Sequence, residues 1–294
     1  MRVVAVRRIR RVLGILLLVS LAMVTAAIAQ RRRFGGDGFG FRARMPVFEN
    51  TPYDGRFVFV RMNYESTPDG YWYGGQPAWA HGYPVAEKNL MQIMNEVSYL
   101  GAHEEAANTI RFDDPELFKY PIAYVIEPDW WAITEKESTA IRNYMLKGGF
   151  IIVDDFKLRE NIGGRFCGGS NWRNYEYLRT QGQGGGGWPS FEEMMKQVMP
   201  NYRFFDMSPS HPAFHSFFEI QHIDNFPQAY ICDRPIFRGM FEDNDPEKRL
   251  MMVVNYNTDI SQYWEWSGRG LRPFDDTNEA YKLGVNYLIY GLTH

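Results

Sequence analysis

Two adjacent acids, Asp154 and Asp155, end the apolar run Phe150-Ile151-Ile152-Val153 near the middle of the chain. A buried strand that releases carboxylates at its carboxyl end is where α/β proteins place ligand-binding groups. The pair is open to three readings: ligation of a metal, acid and base work, or solvation of a turn. Glu127 follows a second apolar run, Ile122–Ile126, and Asn63 follows a third, Phe57–Met62. Clustered carboxylate and amide oxygens suit magnesium or calcium, which makes Asp154, Asp155, Glu127 and Asn63 the candidate metal set. Two arguments oppose it. Neighbouring side chains of an extended chain point to opposite faces, so at most one of the Asp pair faces inward. Acids also favour turns by bonding their own backbone. His211 and His215, four apart, suit zinc on a helix, but Pro212 follows His211 directly. For acid and base work, one of Asp154 and Asp155 would act with Glu127 or His211, the two groups pushed apart in pKa.

A different function is written in the aromatics. The loop Ser66–Pro84, "STPDGYWYGGQPAWAHGYP", carries Tyr71, Trp72, Tyr73, Trp79 and Tyr83 among flexible residues. It follows the first strand, so it belongs to the same carboxyl-end face as the acids. Aromatic faces beside carboxylates and amides suit sugars or extended peptides; the same rings can equally pack over the sheet as a lid. The candidate binding set is Asn63, Tyr64, Trp72, Trp79, Glu87, Asn89 and Asn255. Glu87 and Asn89 begin a helix, where Glu87 complements the dipole without further role. Asn255, Asn257 and Asp259 follow a later strand and join either that rim or a turn.

The elements that must position these residues alternate between strand and helix type. A helix is expected over Ala86–Leu100, with Leu90, Ile93, Met94 and Val97 on one face. Thr134 and Glu137 form a capping box, the helix runs to Lys147, and Gly148 supplies its left-handed exit. Strand, helix and strand with short joints make a βαβ unit, so Ile122–Ile126 and the "GGFIIVDDF" strand are expected parallel, with Glu127 and the Asp pair on one edge. A long loop, Lys157–Pro189, contains the glycine run 182–187 and reads as mobile. A capped helix opens at Ser190, and strands are expected at Arg203–Phe205, Ile236–Phe241 and Leu250–Asn255. A closing helix, Ala280–Tyr290, is capped at Asp276–Glu279. No G-x-x-x-x-G-K-[ST] loop occurs anywhere in the sequence, which excludes reading "IIVDD" as the magnesium-holding strand of a phosphate-binding ATPase.

Composition bounds the rest. At 294 residues with 45% hydrophobic and 16% aromatic content, the chain folds around a sizeable core. A formal charge of −3 gives no basic field for nucleic acid. Arg2 to Arg11 with the apolar run from Val12 and the Ala27-Ile28-Ala29 site read as a signal peptide, residues 1–29. An uncleaved membrane anchor is the alternative, and the only expected membrane contact. Residues 30–52, rich in Arg, Gly and Phe, read as a flexible leader, and 53–294 as a single α/β domain. Export to the periplasm or beyond allows Cys167 and Cys232 one bridge, or leaves two buried thiols.

In order, "FVFVRMNY" with a Trp-containing loop, "PVAEKNL", "DDPELFKYPIAYV", "LKGGFIIVDDF", "HPAF" and "LGVNYLIYGLT" resemble one bacterial family, domain-of-unknown-function family 4159, from Phe57 to Thr293. The resemblance implies a flavodoxin-like α/β fold related to class I glutamine amidotransferases, with a mostly parallel sheet flanked by helices. It also implies exported or membrane-linked proteins near von Willebrand A-domain and MoxR-type ATPase partners, and no established reaction. Amidotransferases need a nucleophilic Cys on a glycine-flanked elbow. Cys167 sits in "RFCGG" with Arg165 where a glycine belongs, Cys232 has no elbow, and no G-x-S-x-G occurs.

The leading expectation is an exported, non-catalytic module that binds an envelope protein or glycan through its aromatic loop face, with no cofactor. The alternative is a hydrolase of carbohydrate or amide substrates that uses carboxylates at the strand ends either as acid and base or as ligands of a divalent metal.

Overall fold

The computed structural model describes residues 48–68, 70–71, 75–156, 187–220, 222–223, 235–256 and 258–294. The signal segment, residues 30–47 of the leader, Trp72, Tyr73, residues 157–186 of the expected long loop with Cys167, and Cys232 and Asn257 lie outside the described residues.

Among the described residues, seven strands form one sheet: β1 Phe59–Met62, β2 Ala107–Ile110, β3 Ile122–Ile126, β4 Phe150–Asp154, β5 Phe205–Asp206, β6 Ile236–Phe241 and β7 Leu250–Tyr256. Their order is β2-β1-β3-β4-β7-β6-β5. The first five in that order run parallel, and β6 and β5 extend the sheet antiparallel. The helices are α1 Val85–Val97, α2 Glu135–Leu146, α3 Gly187–Val198, α4 Ile260–Glu265 and α5 Phe274–Thr293. The expected α/β architecture, a mostly parallel sheet with helices on its faces, is what forms.

Every residue of β3, β4 and β7 is buried, as continuous apolar runs in a sheet covered on both sides must be. Alternate side chains divide between two cores. Phe59, Ile122, Tyr124, Phe150, Ile152 and Val253 pack with Leu90, Met94, Tyr263, Leu283 and Leu288 of α1, α4 and α5. Val58, Val60, Met62, Ala123, Val125, Ile151 and Val153 pack with Ile141, Tyr144 and Met145 of α2 and with Phe191, Met195 and Val198 of α3.

The β3–α2–β4 unit fixes the register that matters for the site. Glu137 donates its amide to the Thr134 hydroxyl at 3.2 Å, and the Glu137 carboxylate accepts the Thr134 amide at 3.0 Å, closing the capping box. After α2, Gly148 turns the chain at φ +106°, and Gly149 lets the Tyr144 ring lie where a Cβ would come within 2.4 Å. β4 then pairs with β3 so that Asp154 faces Ile126, and the residues one step further, Asp155 and Glu127, become neighbours.

Some elements differ from the sequence expectation. β2, "ANTI", carries Asn108 and Thr109 in only four residues, so it shows no apolar run. Its outer edge meets Asn50 and Thr51: the Thr109 amide donates to Asn50 Oδ1, Asn50 Nδ2 to the Thr109 carbonyl, the Thr51 amide to Asn108 Oδ1, and Asn108 Nδ2 to the Thr51 carbonyl, all within 2.9 Å. Short α4, capped by Asp259, has too few residues to show a helical period. α5 begins at Phe274 after Pro273, with Asp275 and Asp276 in its first turn.

Candidate functional site

The site begins with a charge inside an apolar strand. Arg61 of β1 is fully buried and pairs with Glu87 of α1, itself buried. One guanidinium nitrogen of Arg61 donates to the carbonyls of Trp79 and His81, both at 3.0 Å. The loop after β1 is thereby tied down over the sheet edge. Gly82 completes the turn at φ +68°, against Glu265 of α4, whose carboxylate would lie 2.8 Å from any Cβ there. These constraints leave the His81 side chain 31% exposed, at the mouth of the site.

Glu127 and Asp155 come from below. Each is the residue just after its strand, and each adopts the left-handed conformation, at φ 48° and 51°. That region is sparsely used by residues other than Gly, Asn and Asp, and Glu127 also precedes Pro128, a position that avoids helical backbone. The Tyr64 hydroxyl donates to the carbonyls of Ile126 at 2.8 Å and Glu127 at 2.6 Å, holding the turn. His81 Nδ1 then lies 3.3 Å from Glu127 Oε1 and 3.7 Å from Asp155 Oδ2. One donor atom from each of the three residues falls within 4.8 Å of the others, a spacing that one cation can bridge.

The electrostatics follow from burial and crowding. Burial pushes the Asp155 carboxyl up to about 7, with the Glu127 charge adding to the rise and the His81 hydrogen bond opposing it. Asp259, which caps α4 through Ser261 Oγ and the Gln262 amide, both at 2.9 Å, is also raised to about 7 by burial and by the Asp155 charge. Burial disfavours charge on His81, but the bonds to Asp155 and Glu127 outweigh it and lift the imidazole to about 11. Among the described residues, Asp155, Glu127 and Asp259 all act on the single His81 imidazole.

Asp154 has a different environment. Its Oδ2 accepts from the Tyr124 hydroxyl at 2.6 Å and the Ser261 amide at 3.0 Å, and its Oδ1 from Asn255 Nδ2 at 3.0 Å. Asn255 Oδ1 accepts in turn from Tyr287. Burial raises Asp154 to about 6, with the Asp259 charge, while these three bonds pull it back. Both members of the Asp pair are buried, against the expectation that at most one faces inward. Alternation holds only for extended backbone, and the left-handed turn at Asp155 ends it.

The remaining predicted residues scatter. Asn63 continues the β1–β2 pairing through its amide, which donates to the Ile110 carbonyl. Asn89 donates to the Trp264 carbonyl, Glu87 serves Arg61 rather than a helix dipole alone, and Trp79 and Tyr83 are core residues at 3% and 8% exposure. Tyr71 remains about half exposed. His211 packs on Phe241 and Tyr290, beside the amino end of β7, so it lies at the opposite edge from the acids. His215 bonds Glu219 and the Pro209 carbonyl. The residue that sequence reasoning missed is His81, although it is the single basic side chain in the quoted aromatic loop. Arg61 carried a signal of its own, a charge in the middle of "FVFVRM".

The location agrees with a general rule for open α/β sheets. From β1 the chain passes outward to β2 on one side, while β3 lies on the other, so the order reverses between β1 and β3. Ligand sites form outside the carboxyl ends of strands at such a reversal, and His81 and Glu127 come from the loops that flank it. Residues 58–292 match the model of the family described as Domain of unknown function (DUF4159). The chain belongs to that family. No curated protein matches it. Among the described residues, no helix of this family member is long and apolar enough to cross a membrane.

Proposed function

We propose that the chain is an exported hydrolase of carbohydrate or amide substrates that works through a divalent cation held by His81, Glu127 and Asp155. The observation that carries this reading is the meeting of one imidazole and two buried carboxylates, with donor atoms within 4.8 Å, at the reversal point of the sheet. A mixed nitrogen and oxygen set suits zinc or manganese better than magnesium or calcium, which prefer oxygen alone. A cation there would polarise a carbonyl or lower the pKa of a bound water. The chain's own residues would hold it, the cation displacing the proton that Asp155 and Glu127 otherwise keep on the imidazole, and substrate would approach from the partly exposed side of His81. Asp259 has one oxygen committed to capping α4, and its carboxylate, which interacts with the Asp155 and His81 charges, would be the group for proton transfer.

The test is Mn²⁺ binding followed by electron paramagnetic resonance, with hydrolysis assayed on acetylated sugars and N-acyl amides. Stoichiometric binding that weakens at least tenfold in His81→Ala and Asp155→Asn is expected, with metal-dependent turnover of one substrate class. Absence of binding by the wild-type protein sinks the reading. A second reading, non-catalytic recognition of an envelope protein or glycan, is favoured by the half-exposed Tyr71 in the loop after β1. Partners from von Willebrand A-domain or MoxR-linked systems are the proteins to try. If Tyr71→Ala retains every partner captured by the wild type, Tyr71 does not carry that recognition.

A further inference from the structure

A buried ion pair demands an explanation. Removing an arginine and a glutamate from water costs several kcal/mol each, on the order of what their mutual attraction returns, and apolar residues of similar size often serve stability as well or better. Arg61 and Glu87 are both fully buried, at 0% and 1%. Arg61 also lies over the ring of Tyr124, 5.2 Å from its centroid, on the core face packed by α1, α4 and α5. Its geometry supplies what an apolar residue cannot. A single guanidinium nitrogen reaches two carbonyls that bracket the loop Trp79–His81, while the other terminal nitrogen is held by Glu87. The planar fork spans these acceptors in a fixed relation, and one of the two carbonyls belongs to His81 itself.

We infer that Arg61, oriented by Glu87, is a positioning residue that sets the His81 imidazole against Glu127 and Asp155. The inference rests on the cation-site reading for its functional meaning but not for its geometry. The pair spans β1 and the first turn of α1, the two elements that bound the loop. It therefore fixes the loop from beneath, and Gly82 lets the chain turn tightly enough for the imidazole to reach over the sheet edge. A cation site assembled from β3 and β4 on one side and from a loop on the other needs such a brace, because neither strand determines where the loop lies. Residues that orient metal ligands without touching the metal commonly change affinity by ten- to a hundredfold.

Two variants test it, Arg61→Met with Glu87→Met as a double replacement, and Arg61→Lys alone. Three quantities are measured on each: the melting temperature, the Mn²⁺ dissociation constant, and the position of His81 in a crystal structure of the metal-free protein. The double variant is expected to fold with an unchanged or higher melting temperature, to bind Mn²⁺ about tenfold or more weakly, and to show His81 displaced from Asp155. Stability and affinity moving apart is a result that a purely structural role would not give. Arg61→Lys keeps the charge but not the fork and is expected to weaken Mn²⁺ binding as well. The inference is overturned if the double variant keeps its affinity within twofold with His81 in place. Should the double variant not fold, wild-type affinity and His81 placement in Arg61→Lys overturn it instead. If the wild type binds no Mn²⁺, the cation reading fails alone, and the His81 position in the metal-free variants still decides the positioning role.

Discussion

At Asp154 both carboxylate oxygens are occupied by donors, from Tyr124, Asn255 and the Ser261 amide. Asp154→Asn would turn an NH₂ group toward one of those donors and leave it without an acceptor in the interior. The expected cost is about 2–3 kcal/mol, read as a lower urea midpoint at unchanged slope. His211 carries a second test. Its Nδ1 accepts the Ala213 amide at 3.1 Å, and burial, with the charges of His294 and His215, lowers its pKa from 6.5 to about 4. Between those values the unfolded chain binds the proton and the folded one does not, so stability rises with pH across that window and falls on acidification through it. His211→Asn keeps an acceptor at the cap and is expected to flatten this part of the stability profile in urea titrations at stepped pH. Single residues were the least legible part of the site. Glu127 and Asp155 could be singled out because strands end there, whereas His81 is placed by an arginine nearly a full loop away and has no local signature.

Among elements, α5 does more than cover the sheet. Asn286 accepts from the amides of Phe217 and Phe218, at 3.0 and 2.7 Å, and donates to the carbonyls of Phe214 and Phe218, at 2.6 and 2.8 Å. Asn286→Ala would strand these backbone groups under the helix. A loss of about 3 kcal/mol or more is expected, with faster amide exchange at Phe217 and Phe218 as its local mark. The sequence made β3, α2 and β4 readable because capping box, glycine exit and apolar runs all agree. It hid β2 and α4, whose four and six residues are too short for either period to emerge. The aromatic loop was open to two readings, a binding face or a lid over the sheet; its Trp79 and Tyr83 are core residues, as a lid requires, while Tyr71 stays about half exposed.

For the whole molecule, the sheet order decides where function sits, and that order depends on pairings between distant segments. The βαβ unit could be predicted as a pair of parallel neighbours; the reversal between β1 and β3 could not, since it required knowing that β2 takes the far edge. A cation bound at the reversal would bridge the β1 loop to β3 and β4 and thus stabilise the assembled sheet. At a concentration one hundred times the dissociation constant the gain is about 2.7 kcal/mol, or roughly 5–10 °C in melting temperature for a domain of this size. Calorimetry with Mn²⁺, then with chelator, should show that rise and its reversal, and His81→Ala should abolish most of it.

The side-chain pairing along β2 has a colloidal consequence. The Asn50 side chain imitates a neighbouring strand and satisfies the outermost backbone groups at Thr109, while Asn108 of β2 holds Thr51 alongside. An uncovered strand of this kind is a template for other chains. A protein trimmed to start at Tyr53, where composition places the domain boundary, would lose that cover. Light scattering is expected to show it self-associating with rising concentration, while a protein that retains Phe48 to Thr51 stays monodisperse under the same conditions.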